Sequence, residues 1–167
     1  YELNKLKIEK LIKVKVNRNQ LGSDRLANAI SVLKPDKNFI IIDFGTATNF
    51  DVVIKNSYIG GVIAPGIQLS LDSLTNRASL IPKINLKKIK NVIGKNTSSA
   101  INSGFYLGYI GLIDNIIKLI IKQTKKKFII ILTGGLSHMF KHSIKSNIKL
   151  DKDLTINGLL KASDLIK

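Results

Sequence analysis

The chain has no cysteine among its 167 residues. A disulfide framework and thiolate metal sites are therefore excluded, and a reducing compartment such as the cytoplasm is the expected setting. Acidic residues are scarce, 11 against 27 basic ones, which leaves a net charge of +16. Arginine is scarce within the basic set and occurs only as Arg18, Arg25 and Arg77. Long apolar runs are missing too. The opening YELNKLKIEKLIKVKV is broken by lysine throughout, unlike a secretory leader. The charge-free stretch 96–113 starts polar and carries three glycines, which makes a poor membrane span. No internal repeat or low-complexity linker is visible. The chain begins with Tyr1 and not Met, and so reads as a fragment or a processed product.

Excess positive charge raises nucleic acid as a partner. The lysines are nevertheless spread along the chain, and the one tight run, Lys125 to Lys127, falls where a helix should end, where cations complement the helix dipole. Neither nucleic acid nor a membrane is expected as the main partner. An apolar share of 44% with 23% charged residues is that of a globular protein. The length suits one domain or slightly more.

Hydrophobic periodicity predicts the elements. Residues 7–16 alternate lysine with Ile, Leu and Val, as in a strand with one wet face. Residues 23–34 have helical spacing, with Ser23 or Asp24 as cap. Short apolar strands are expected at 39–42, 50–54 and 58–64, then a helix at 67–79. A long helix capped by Thr97 or Ser98 should run to about residue 123. A strand at 128–132 and helices at 136–142 and 154–166 complete the chain. This order predicts an α/β or α+β fold with a mixed sheet.

The chemistry concentrates where strands end. In IIIDFGTAT a buried strand delivers Asp43 to a turn of small residues. Gly45 permits a positive φ or the close approach of a ligand, and Thr46 and Thr48 add hydroxyls to the backbone donors of a phosphate cradle. A carboxylate beside such a cradle repels phosphate unless a cation intervenes, so Asp43 should hold a cation or act through water. A tight turn that satisfies its own polar groups is the structural alternative. Leu132-Thr133-Gly134-Gly135 repeats the pattern, and two such loops point to a nucleotide cleft. In Gly22-Ser23-Asp24-Arg25, Asp24 is either a helix cap or a general base, and Arg25 is suited to a carboxylate. Thr97 is a cap or a substrate contact. Gly104, Gly108 and Gly111 cut a groove along the long helix, for a contact within the chain or a helix–helix dimer seam. Asp114 and Lys118 have the spacing of an exposed ion pair. His138 and His142 lack the intervening Glu and third ligand of a zinc site and read as surface residues.

LGSDRLANAI, IIIDFGTATNFDVV, YIGGVIAPGI, RASLIPKI, VIGKNTSSAINSGFYLGYIGLID and LTGGLS, in this order and spacing, resemble type III pantothenate kinase from about Leu21 to the C-terminus. The resemblance implies the acetate and sugar kinase, heat-shock protein and actin superfamily, an α/β fold with ribonuclease-H-like mixed sheets flanked by helices. The chain would be the second half of that two-domain fold plus the end of the first. Residues 1–36 would be the remnant of the first domain, 37–150 the second, and 151–167 a C-terminal helix.

The implied activity is transfer of the ATP γ-phosphoryl group to the primary hydroxyl of pantothenate, the committed step toward coenzyme A. The implied cofactors are ATP with Mg2+ and a monovalent cation, K+ or NH4+, and the implied assembly is a cytoplasmic homodimer. By motif position Asp24 is the catalytic proton acceptor. Gly22, Ser23, Asp24, Arg25 and Thr97 contact pantothenate. Asp43 is the monovalent-cation ligand, and Thr46 contacts an ATP phosphate. Thr133, Gly134 and Gly135 fall where adenosine is received.

Two departures stand out. Ser23 replaces the family's usual alanine, and nothing in residues 1–20 resembles the family's opening Asp-x-Gly-Asn-Thr phosphate loop. The expectation is therefore little or no kinase activity from this chain alone. A non-catalytic homologue acting in transcription is the alternative function.

Overall fold

The computed structural model describes residue 3, residues 8–78 and residues 80–164. Its centre is one six-stranded sheet in the order β1-β4-β3-β2-β5-β6. The strands are β1 (Lys13–Val14), β2 (Asn38–Phe44), β3 (Ala47–Ile54), β4 (Ser57–Pro65), β5 (Ile129–Gly134) and β6 (Ile148–Leu150). β2, β3 and β4 form an antiparallel meander, and β5 and β6 run parallel to β2. The helices are α1 (Ser23–Ser31), α2 (Ile67–Arg77), α3 (Thr97–Thr124), α4 (Ser137–Phe140) and α5 (Leu154–Ser163). This is the mixed sheet with helices on both faces that the resemblance implies.

The period of two along the strands divides the core. Phe39 and Ile41 of β2 and Val53 of β3 turn to one face, where α1 and α5 cover them with Leu26, Ala27, Ala29, Ile30, Leu154 and Ala162. Ile40 and Ile42, with Phe50 and Val52, turn to the other, against Tyr106, Ile113, Ile117 and Ile120 of α3. α3 is long and apolar enough to cross a membrane by length and composition, but this buried stripe packs it on the sheet. Phe140 of α4 stacks on Phe44 at a centroid distance of 5.1 Å and on Tyr106 at 5.5 Å. The stack joins the loop after β2 to the loop after β5.

Several boundaries differ from the periodicity reading. Only Lys13–Val14 of the expected 7–16 strand is extended, residue 7 lying outside the described residues. Ahead of it the Ile8 carbonyl accepts from the N–H groups of Leu11 and Ile12, and Ile8 and Ile12 are buried together. Their four-residue spacing is helical, and it overrides the alternation of lysine. α1 ends at Ser31 instead of 34, and its cap is Gly22, not Ser23 or Asp24. α3 is capped by Asn96 in a reciprocal box with Ser99, not by Thr97 or Ser98. β6 was not expected: three residues carry no pattern of their own, and they become a strand by pairing with Ile130 to Leu132. α4 occupies four residues of the seven expected. α5 ends at Ser163 with Asp164 as its C-cap, and residues 165 and 166 of that expected helix lie outside the described residues.

α1 and α5 cross at Gly158, where a methyl group would overlap the Ala27 carbonyl. Gly104, Gly108 and Gly111 are the opposite case. They are exposed, with nothing within 4 Å of a Cβ at any of them, so the intra-chain contact expected there does not form among the described residues. Gly158→Ala is accordingly expected to cost about 1–3 kcal/mol of stability by overpacking. Gly108→Ala should gain up to about 1 kcal/mol of helix propensity. Urea unfolding of both variants beside the parent chain checks the contrast.

Candidate functional site

Asp43 and Asp51 sit on neighbouring strands of the meander and share parity with Ile41 and Val53, so both carboxylates face the α1 side of the sheet. α1 meets them with residues three apart, which lie on one helix face. Arg25 Nε donates to Asp51 Oδ1 at 2.8 Å, and its Nη2 lies 2.7 Å from the same oxygen. Asn28 Nδ2 donates to Asp43 Oδ2 at 2.9 Å. Asn28 is fully buried, and its own oxygen accepts from the Thr155 hydroxyl of α5 at 2.7 Å. Tyr58 of β4 donates its phenol proton to Asp51 Oδ1 at 2.7 Å.

Asp24, in the first turn of α1, is exposed. Its carboxylate folds back over Gly22, where a Cβ would come within 2.5 Å of Oδ1. The turn after β2 exposes Gly45 and Thr46. Gly45 donates its N–H to the Ala47 carbonyl at 3.1 Å, and Gly66 donates to the Thr46 carbonyl at 3.1 Å, so the turn is braced from the start of α2. Gly45 does not use the left-handed region; among the described glycines Gly60 and Gly134 do. Gly134 combines φ 85° with a close approach, since a Cβ there would lie 2.6 Å from Asp43 Oδ1. Thr48 is fully buried, and its hydroxyl meets no partner among the described residues. Thr46 is the threonine of this turn that faces solvent.

Thr133 is buried directly across from Asp43 in the β2–β5 register, and Gly135 beyond it is exposed. The structure thus brings Asp43, Gly45, Thr46, Thr133, Gly134 and Gly135 to one end of the sheet, joined through Asn28 to the helix that carries Gly22, Ser23, Asp24 and Arg25. Thr97 is exposed at the start of α3 and is not part of this hydrogen-bonded set. His138 and His142 are exposed, and no cluster of three metal-ligating side chains occurs among the described residues. Asp114 accepts from the Lys145 N–H at 3.2 Å, and the ion pair expected with Lys118 does not form.

Sequence reasoning missed Asp51, Tyr58, Asn28 and Thr155. Asp51 left a usable signal, a lone carboxylate inside an apolar strand, which demands a buried partner in a chain with few arginines.

Burial raises the Asp43 carboxyl above the ordinary aspartate value; the Asn28 bond opposes this and the Asp24 charge adds to it. Burial likewise raises Asp51, against the pull of Arg25 and Tyr58. Burial works to lower the Arg25 guanidinium, but its bond and charge interaction with Asp51 outweigh that and raise it. Tyr58 is pushed up by burial and by the Asp51 charge. Asp43 therefore differs from Asp51: an amide holds it, where Asp51 has a guanidinium. Its donor oxygens suit a cation, which would relieve the unfavourable charge.

A carboxyl raised in the folded state favours folding while protonated. That contribution is present below about pH 3.9 and is lost as pH rises through the raised value. Asp43→Asn, which can still accept from Asn28, should therefore melt higher than the parent chain at pH 7. The gap should narrow as pH falls toward about 4, and thermal melts across this range read it directly.

Comparison with known proteins matches residues 2–119 to the family model for type III pantothenate kinase. The type III pantothenate kinase of Pelagibacter ubique is 64% identical over the whole chain, which covers 67% of that protein. Those of Syntrophotalea carbinolica and Rhodospirillum rubrum are 36% and 42% identical over 86% and 85% of the chain, which spans 57% and 56% of their length. Among solved structures, a Baf-family transcriptional activator from Campylobacter jejuni superposes with a TM-score of 0.69 at 19% identity, over 95% of this chain and 71% of that one. The Alp12 filament gives 0.56 at 16% identity, over 85% of this chain and 52% of that one. At these identities the structures speak for the fold, and they bear out the ribonuclease-H-like, actin-type architecture. The chain belongs to the type III pantothenate kinase family.

Proposed function

We propose that this chain carries the pantothenate- and cation-binding side of a kinase that moves the ATP γ-phosphoryl group onto the primary hydroxyl of pantothenate, giving 4′-phosphopantothenate. The observation that supports this reading most directly is the junction of α1 with the strand ends. One helix presents Asp24 to solvent, fixes Arg25 on Asp51, and tethers Asp43 beside the two glycine-bearing loops.

Phosphoryl transfer depends on positioning and on offsetting charge more than on covalent chemistry by the protein. On this reading Asp24 accepts the proton of the attacking hydroxyl, with the backbone at Gly22 and Ser23 against the substrate. Arg25 receives the pantothenate carboxylate, and Thr97 makes a further substrate contact. Gly45 and Thr46 meet the ATP phosphates, with buried Thr48 supporting the turn from below. Thr133, Gly134 and Gly135 border adenosine. A monovalent cation, K+ or NH4+, at Asp43 offsets negative charge beside the phosphates. Mg2+ enters with the ATP, whose phosphates supply much of its coordination. The proposed domain division is 1–36 for the end of the first ribonuclease-H-like unit, 37–150 for the second and 151–167 for the closing helix, working in the cytoplasm. The transcriptional alternative draws on the +16 charge and on the name of one structural neighbour. The names of the sequence relatives favour the kinase.

Calorimetric titration of the chain with pantothenate tests the reading. Pantothenate should bind roughly 10- to 100-fold more tightly than pantothenyl alcohol, which lacks the carboxylate that a charge-assisted bond requires. Asp24→Asn should leave this affinity within about threefold, as expected of a group that acts in the chemical step. Failure to bind pantothenate, or equal binding of the alcohol, would count against the assignment.

The exposed Gly104, Gly108 and Gly111 face is the proposed seam of a homodimer. A Cβ at Gly108 has no neighbour within 4 Å among the described residues of the chain, so Gly108→Leu should shift the mass found by sedimentation from dimer to monomer without loss of helix signal. An unchanged mass would remove this face as the seam.

A further inference from the structure

We infer that Asp51 and Tyr58 are positioning residues of the pantothenate site, setting the direction in which Arg25 receives the substrate carboxylate. The inference rests on the pantothenate reading given above.

Asp51 is fully buried in β3, yet Arg25 Nε, Arg25 Nη2 and the Tyr58 hydroxyl all converge on its single oxygen Oδ1. Oδ2 is buried and has no partner among the described residues. A buried ion pair often stabilises a fold no better than apolar side chains of the same volume, and an unsatisfied buried oxygen adds to its cost. What this arrangement does provide is orientation. The guanidinium is gripped along its Nε and Nη2 edge, which leaves Nη1 to meet a bound group.

The Arg25 side chain is 14% exposed and lines a cavity of 260 Å³ together with Leu21, Tyr58, Gly60 and Gly61. Gly61 lies opposite Asp51 in the β3–β4 register. A Cβ there would stand 2.9 Å from Arg25 Nη2, so the missing side chain keeps the path from α1 to the sheet open. Tyr58 belongs to both structures, since it braces Asp51 and forms part of the cavity wall. A guanidinium fixed in this way loses little rotamer freedom when a carboxylate arrives, which favours recognition of that group over a neutral one.

The experiment measures the ratio of affinities for pantothenate and pantothenyl alcohol in the parent chain, in Asp51→Asn and in Tyr58→Phe, with a thermal melt of each. Asp51→Asn should bring the ratio to within about threefold of unity by weakening pantothenate binding and sparing the alcohol. Tyr58→Phe keeps the charge and loses one bond, and should lower the ratio by roughly two- to fivefold. A parent ratio that persists in both variants, even with lowered melting temperatures, overturns the inference and leaves Asp51 a structural residue. If Asp51→Asn does not fold, Tyr58→Phe decides by the same ratio. A parent chain that binds neither compound overturns the pantothenate reading itself, and the inference with it.

Discussion

A carboxylate buried in a sheet is the constraint from which the site follows. Asp51 has no solvent contact, and withdrawing such an ion from water costs several kcal/mol unless a partner is held against it. Arg25 is that partner, and it can reach only if the first turn of α1 lies down on β3 and β4. The helix therefore docks by its polar end as well as by its apolar stripe. Leu26, Ala27, Ala29 and Ile30 then close over the sheet. Gly158 lets α5 come close enough to seal the outer side. One residue pair thus fixes the position of the segment on which Asp24 is carried.

The same helix treats the two sheet carboxylates differently. Asp51 receives a cation from within the chain, whereas Asp43 receives an amide from Asn28. Asp24 adds its charge to the environment of both. It sits at a helix N-terminus, where an anion is favoured. The outcome is one carboxylate paired with a guanidinium deep in the sheet, one held by an amide, and one exposed to solvent. On the proposed reading, that asymmetry would suit a phosphate-handling site with a cation ligand. The aromatic stack of Phe44 on Phe140 keeps the two strand-end loops in fixed relation while leaving their tips open to solvent.

Much of the fold was legible because the strands are apolar and the helices periodic. β2 to β5 and the long α3 fall within a few residues of where the pattern puts them. The failures are local and physical. Lysine alternation at 7–16 imitated a strand, while the burial of Ile8 and Ile12 obeyed a helical turn. β6 is a strand only through its neighbour. The caps fall one or two residues ahead of the expected positions: Gly22 starts α1 by its extended backbone alone, and the Asn96 side chain, boxed with Ser99, takes the place of Thr97 or Ser98. Thr48 looked like a phosphate ligand by composition, yet strand parity turns it into the core beside Phe50 and Val52.

The sequence by itself determined the types of group and their order: a carboxylate ending one buried strand, Thr-Gly-Gly ending another, an Asp-Arg pair opening a helix, and the family these mark. Tertiary structure alone decided which of those groups meet. Arg25 and Asp51 are 26 positions apart, and Asn28 and Thr155 are 127 apart. Such pairs are set by sheet register, by the parity of each strand and by the depth to which α1 sinks. None of these is written in local spacing, because each depends on how surfaces distant in the chain pack against one another.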